Sequence, residues 1–420
     1  MTGSVRKDTN SDPKCVVFFR VQTPLLWIAA CVLWVSAVLT MTACSDDADG
    51  AGNINADEDI PNVVSDTGGG GETDTQDILN GDDTEEDVPV SAKPYWRVVD
   101  LGETTIWNDV KAYMDGNKPV YILTGTNGVV ALYDGVSPRF LNIGPIDGNV
   151  ESIQAGWAES EESLIVVGTG GVVRHWSPTE QKWKIASGLP QSGLGTFHCI
   201  MGSAANNVYA AGDGGQIWHW DGSDWTEVFT QGAGKITKPI NDLWVSKDGI
   251  VFLGTAGEIV WGKDSQWQTV SVVKPINAIF GFASNDVFAV AGPGAGLDGA
   301  ILHFTETGWT SQSANAAAAL QGLNDVWGSS STNVFTIGFK GTLIRYSSIN
   351  GGDLAWDLVL KAEKEDYALA PQTGAPENQQ FTPEVLTLRS FWGSGPEDML
   401  IAVEGNAGTA NLLHYRRHPL

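Results

Sequence analysis

The sequence predicts an all-β fold, a seven-bladed β-propeller of four-stranded blades, and three observations predict it. A unit recurs about every 42 residues from Thr105 onward, the spacing expected of one propeller blade. Seven copies can be counted. An orphan strand, Tyr95-Trp96-Arg97-Val98-Val99-Asp100-Leu101, precedes the first copy and supplies the piece that the last copy lacks. Its addition to the last blade would join the two ends of the repeat array in one sheet and remove an exposed edge.

The elements of the repeat follow in order. The opening strand reads Asn108-Asp109-Val110, Glu151-Ser152-Ile153, His198-Cys199-Ile200, Asn241-Asp242-Leu243, Asn277-Ala278-Ile279, Asn324-Asp325-Val326 and Arg389-Ser390-Phe391, with an apolar third residue throughout. A strand packed between neighbouring blades requires that residue. The second strand is a β-rich run ending in glycine, at 120–125, 164–168, 208–212, 250–254, 287–292, 334–338 and 399–405. Valine, isoleucine and phenylalanine suit a buried pleated surface, and the glycine is expected to supply a positive-φ turn.

The third strand ends in an aromatic residue: Val130-Ala131-Leu132-Tyr133, Val173-Arg174-His175-Trp176, Ile217-Trp218-His219-Trp220, Ile301-Leu302-His303-Phe304, Leu343-Ile344-Arg345-Tyr346 and Leu412-Leu413-His414-Tyr415. Blade four departs from this with Ile259-Val260-Trp261-Gly262. A closing aromatic then marks the fourth strand: Phe140, Trp183, Trp225, Trp267, Trp309 and Trp356. Two insertions break the period, one at 293–299 and a longer polar one at 361–387; they read as tolerated surface insertions, with loops that carry binding as the alternative.

The pattern Trp327-Gly328-Ser329, Val334-Phe335-Thr336-Ile337-Gly338, Gly341-Thr342-Leu343-Ile344-Arg345-Tyr346 and Trp356 resembles propeller repeats of Gram-negative lipoproteins. Related repeats occur in the sialidase-like Asp-box propellers and the photosystem assembly-factor propellers. The resemblance covers about 95–420 and implies the fold and a binding role. Asp221-Gly222-Ser223-Asp224-Trp225 is a shortened echo of the Asp-box. The arginine cluster and tyrosine nucleophile of a sialidase find no alignable counterpart, so no catalysis is carried over.

Three domains are expected: a lipoprotein signal peptide at 1–43, an acidic disordered tether at 44–93 and the propeller at 94–420. Arg6, Lys7, Lys14 and Arg20 precede an apolar stretch at 24–43 that ends Leu39-Thr40-Met41-Thr42-Ala43-Cys44. A basic start, an apolar core and small residues before a cut describe a secretory signal. Cys44 resembles the lipobox cysteine, which implies lipidation there, with Met41 in place of the usual leucine. An uncleaved anchor is the rival reading, since about 20 apolar residues also span a bilayer. Ser45 favours the outer membrane, on its periplasmic or surface face.

Residues 45–92 hold fifteen Asp or Glu, no Lys or Arg, and almost no large apolar residue. Such a segment cannot bury enough surface to offset its ordering entropy. Of the formal net charge of −26, it accounts for −15 and residues 93–420 for −13, with +2 before residue 45. That balance argues against nucleic acid, which needs a basic stripe, and leaves the lipid anchor as the contact with the membrane. Cys199 is the one cysteine beyond Cys44, so no internal disulfide is expected in the mature chain; it reads as a small buried residue.

Few residues are candidates for chemistry. His175, His219, His303 and His414 share one slot in four different blades and read as structural. His198 and His418 show no partner for a metal or a triad. Asp109, Asp242 and Asp325 share the second slot of opening strands that line the channel. They would form an incomplete carboxylate ring, or else each would bond a turn of its own blade. Trp107 and Trp157 lie off the main aromatic columns and are the candidates for stacking a sugar. No P-loop, zinc motif, nucleophile elbow or dinucleotide fingerprint is found, so neither a cofactor nor catalysis is expected. The function expected is a binding or scaffold module for another envelope protein; the alternative is a glycan-binding or glycan-hydrolysing propeller.

Overall fold

The computed structural model describes residues 95–144, 151–190, 192–228, 236–292, 299–313, 322–348, 353–360, 387–404 and 410–416. The expected signal peptide with Cys44, the acidic tether, His418 and nearly all of both insertions lie outside them. The described strands form seven four-stranded antiparallel sheets, each built from consecutive strands except the last. Blade one runs through Trp107–Asp115, Lys118–Gly125, Val130–Tyr133 and Pro138–Phe140. Blade two runs through Ile153–Trp157, Ile165–Gly168, Val173–Ser177 and Lys182–Ile185.

Blade seven takes Thr387–Gly395, Asp398–Glu404 and Ala410–Arg416 from the end of the repeat array and Tyr95–Val99 from its beginning. The register runs from Tyr95 opposite Arg416 to Val99 opposite Leu412. The orphan strand thus closes the last blade, as its sequence predicts. Each innermost strand packs against those of its two neighbours, and that of blade seven packs against that of blade one. The ring has seven blades.

The core lies between blades, as two-sided burial of every sheet requires. Trp327, Phe335 and Leu343 of blade six form one cluster with Phe391, Met399 and Ile401 of blade seven. The closing aromatics sit opposite the third-strand aromatics: Trp176 with Trp183, Trp220 with Trp225, Phe304 with Trp309, and Tyr346 with Trp356. In blade four Trp267 lies opposite Gly262, and a Cβ on that glycine would sit 2.7 Å from the Trp267 Cα. The exception in the aromatic column is therefore a space requirement.

Two sequence readings are corrected. The glycines ending the second strands do not supply positive φ: Gly125 and Gly168 have φ of −153° and −170°. They are glycine because the segment leading into the same blade crosses them closely. A Cβ on Gly125 would lie 2.7 Å from Thr105 Oγ1, and one on Gly168 would strike Ser152 O. The left-handed residues come in the turn beyond, at Asn127 and Gly128 in blade one and at Gly170 and Gly171 in blade two. The opening strand of blade two is also shifted by three residues. Ile153 pairs with Gly168 as Trp107 pairs with Gly125, so Gln154-Ala155-Gly156 occupies the slot assigned to 151–153.

Candidate functional site

With that register, each innermost strand contributes two adjacent positions at one end of the channel, the first of them polar in every blade. The first holds Asn108, Asn241, Asn277 and Asn324, with Gln154, His198 and Arg389 in the other blades. Each asparagine Nδ2 donates to a backbone carbonyl of the next blade: Asn108 to Ile153 (2.8 Å), Asn241 to Ile276 (2.7 Å), Asn277 to Leu323 (2.7 Å) and Asn324 to Leu388 (2.8 Å). Each acceptor carbonyl belongs to the residue after which the register of its own ladder shifts, and the amide of the preceding blade supplies it a partner.

The second position holds Asp109, Asp242 and Asp325, with Ala155, Cys199, Ala278 and Ser390 elsewhere. The acids also bond to the next blade. Asp242 Oδ2 accepts the Ile279 N–H at 2.8 Å, and Asp325 Oδ2 accepts the Phe391 N–H at 2.9 Å. Asp109 accepts the Ser390 hydroxyl at 2.9 Å, and Ser390 Oγ accepts the Val110 N–H, so blades seven and one are joined twice. The expectation that each acid bonds a turn of its own blade is thereby corrected. Hydrogen bonds of this kind contribute roughly 1–3 kcal/mol apiece, more where the acceptor is ionised.

The three acids face a common cavity of about 150 Å³. Lys111, two residues beyond Asp109, lies in the same enclosure with Nζ 3.2 Å from Asp109 Oδ1. Burial pulls the Lys111 ammonium down, but Asp109, Asp325 and Asp242 together outweigh it and raise it above its ordinary value. Desolvation pushes the Asp242 carboxyl up to about 7 and raises Asp325 as well, with Lys111 opposing both shifts. Asp109, Asp242 and Asp325 share the cavity lining with Lys111 and Arg389, so it offers polar groups of both signs.

Beside the acid level the channel turns apolar. The slot of Lys111 is filled in the other blades by Trp157, Met201, Trp244, Phe280, Trp327 and Trp392. Phe280 of blade five meets Trp392 of blade seven ring to ring at 5.6 Å, past blade six, and Lys111 Nζ stands 5.0 Å from the Trp392 ring centre. Lys111 was not singled out from the sequence, although Trp157 and Trp327 of the same slot were. The signal was there, in the one cation among six apolar residues, but it needs the corrected register to be seen.

Trp107 and Trp157 are buried, at 3% and 7% exposure, inside clusters joining blades one and seven and blades two and three. Neither presents a ring face to a sugar. His219, His303 and His414 bond Asn207, Asp286 and Asp398, which begin the second strands of their own blades. His175 accepts the Trp225 Nε1–H at 3.0 Å, and burial pulls its imidazole down to about 4, the neutral state that such an acceptor requires. His198 has the partner that the sequence did not reveal, Asp213 Oδ1 at 2.8 Å. Cys199 is buried, and its thiol is raised well above its ordinary value by burial. Among the described residues no three His, Cys, Asp or Glu side chains gather closely enough to hold a metal ion, and no helix is long and apolar enough to cross a membrane.

No protein-family model matches this chain, and no curated protein matches its sequence. Among solved structures it is similar to YCF48 bound to D1 peptide, at 14% identity and a TM-score of 0.56, over 76% of this chain and 95% of that one. It is also similar to YCF48 from Cyanidioschyzon merolae, at 14% identity and a TM-score of 0.52, over 77% and 99%. A third likeness is to the extracellular domain of the one-component system BT4673 from B. thetaiotaomicron, at 10% identity and a TM-score of 0.52, over 76% of this chain and 40% of that one. At these identities the likeness shows the fold, a β-propeller, and nothing finer.

Proposed function

We propose that this chain is a binding module, a propeller that presents its loops and grooves to another protein of the cell envelope and is held at the outer membrane through a lipid on Cys44. The observation that carries the reading is the use of the axial polar groups. The asparagines and acids at the channel end bond from one blade to the next around most of the ring, which makes a stiff frame suited to presenting a surface. A frame of this kind orders few groups on binding, so little affinity is lost to immobilisation. A structural neighbour that is a propeller bound to a peptide supports the same use of the fold.

The test is affinity capture from crosslinked native envelopes with the full chain as bait and Cys44→Ala as control. The expected result is one dominant protein, recovered with the parent chain and lost with the control. Polysaccharide recovered without a stoichiometric protein overturns the reading in favour of glycan binding.

A further inference from the structure

Arg174 breaks the repeat. It stands at the second position of the third strand of its blade, where the other six blades carry Ala131, Trp218, Val260, Leu302, Ile344 and Leu413. Its guanidinium is half-buried, donates from Nη1 to Val173 O at 2.9 Å, and among the described residues meets no carboxylate. Desolvation pulls it below its ordinary value with no acid to offset it. A half-buried cation without a counter-ion lowers stability, and an apolar residue would suit the slot better for folding. Stability is commonly given up at sites of function.

The guanidinium lines a groove of about 680 Å³ between the outer strands Pro138–Phe140 of blade one and Lys182–Ile185 of blade two. That volume falls in the range of binding clefts, roughly 300–1,000 Å³. Its wall is part cationic, from Arg139 and Lys182, and part apolar, from Trp183 and from Ile185, which is 70% exposed. Arg139 pairs with Glu161 at 2.5 Å, and Lys182 and Lys184 share Glu180. Three cations, Arg139, Arg174 and Lys182, therefore line the groove, two of them paired with Glu161 and Glu180, on a chain whose formal net charge is −26.

We infer that this groove seats a short extended segment of a partner protein in which a carboxylate side chain neighbours an apolar one. The carboxylate lies against Arg174, whose planar fork matches its two oxygens, and the apolar side chain lies on Trp183 and Ile185. The flanking strands are three and four residues long, about 10–13 Å, which fits three or four extended residues. A peptide fits better than an acidic glycan because the exposed aliphatic Ile185 offers contact to an apolar side chain, which a sugar lacks. The inference rests on the binding-module reading and names a class of partner for it.

The test applies the labelled full chain to an array of hexapeptides composed of Leu, Phe, Asp, Asn, Lys and Ser. Peptides with Asp beside Leu or Phe are expected to bind at least tenfold better than their Asn counterparts. Arg174→Leu, which restores the residue type of the other blades, is expected to abolish that preference while its melting temperature stays level or rises. Ile185→Ser should weaken binding of the same peptides. Indifference to Asp against Asn, or a preference unchanged in Arg174→Leu, overturns the inference. So does Arg174-dependent binding of oligogalacturonate with no peptide selected, which would make the groove a glycan site. If envelope capture recovers a partner equally with the parent and with Arg174→Leu, the groove assignment fails and the binding-module reading stands. If capture recovers no protein, that reading fails, and the array alone decides the groove.

Discussion

Asp242 and His175 are both shifted by desolvation, and the signs of their effects on stability are opposite. The Asp242 carboxyl sits near 7 in the folded protein and near 3.9 when unfolded, so the folded state binds its proton more tightly. Its contribution is present at low pH and drains as pH rises from about 4 to about 7. His175 is held near 4 against an ordinary 6.5, so the unfolded chain takes up the extra proton, and stability is lost as pH falls through that window. Asp242→Asn keeps an oxygen to accept the Ile279 N–H and removes the first slope alone. In chemical denaturation at a series of pH values, the variant is expected to gain stability from pH 4.5 to 6.5 more steeply than the parent. Above pH 7 it should exceed the parent by about 2 kcal/mol or more. Parallel curves for the two proteins would remove Asp242 from this role. Lys111 and Arg174 make a similar contrast, each a cation in a slot that is otherwise apolar. Lys111 has Asp109 at 3.2 Å and belongs to the frame, whereas Arg174 has no such acid among the described residues and points to a ligand.

At the scale of the strand, the Trp-Gly pair of the repeat acquires a cause. The tryptophan of one blade lies on the glycine of the next: Trp157 on Gly202, Trp244 on Gly281 and Trp327 on Gly393. A Cβ on Gly393 would lie 2.6 Å from the Trp327 ring, which Phe335 and Phe391 flank and which is 5% exposed. Gly393→Ala is therefore expected to cost about 1–3 kcal/mol in urea denaturation, with Trp327→Phe recovering part of the loss. Gly395→Ala, in open space, should stay within about 0.5 kcal/mol. Equal effects at the two glycines would show that the ring contact does not set the requirement. The strands themselves were legible because apolar periodicity and the closing aromatics repeat. The glycine roles were not, since a sequence prints the residue without its φ or the backbone crossing it. The blade-two register was missed because Ile153 satisfies the apolar rule while the true residue at that slot is Gly156. The acids were legible as sharing a slot near the channel, but their partners belong to the next blade, about 37 to 66 residues away or across the ring closure, where no local pattern reaches.

Across the whole ring, the last blade is completed by a strand pairing between residues roughly three hundred positions apart, running from Tyr95 opposite Arg416 to Val99 opposite Leu412. Val99 is 4% exposed and packs in a cluster with Val110, Leu400 and Leu412, so the strand contributes both hydrogen bonds and burial to the junction of blades seven and one. Without it the strand Ala410–Arg416 would present an open edge. A propeller whose blades pack on two neighbours each gains its cooperativity from having no terminal blade, and this pairing adds to the packing and hydrogen bonds that join blades seven and one. Val99→Asp places an unpaired charge in that cluster, at a cost of about 3 kcal/mol or more. The expected outcome is loss of amide protection first in Ala410–Arg416, then in Asp398–Glu404, while the strands of blades three and four stay protected. Size-exclusion chromatography should show oligomers joined through the exposed edge. Uniform loss of protection in all seven blades would instead mean that the ring melts as one unit, and that closure sets its total stability without defining a weakest point.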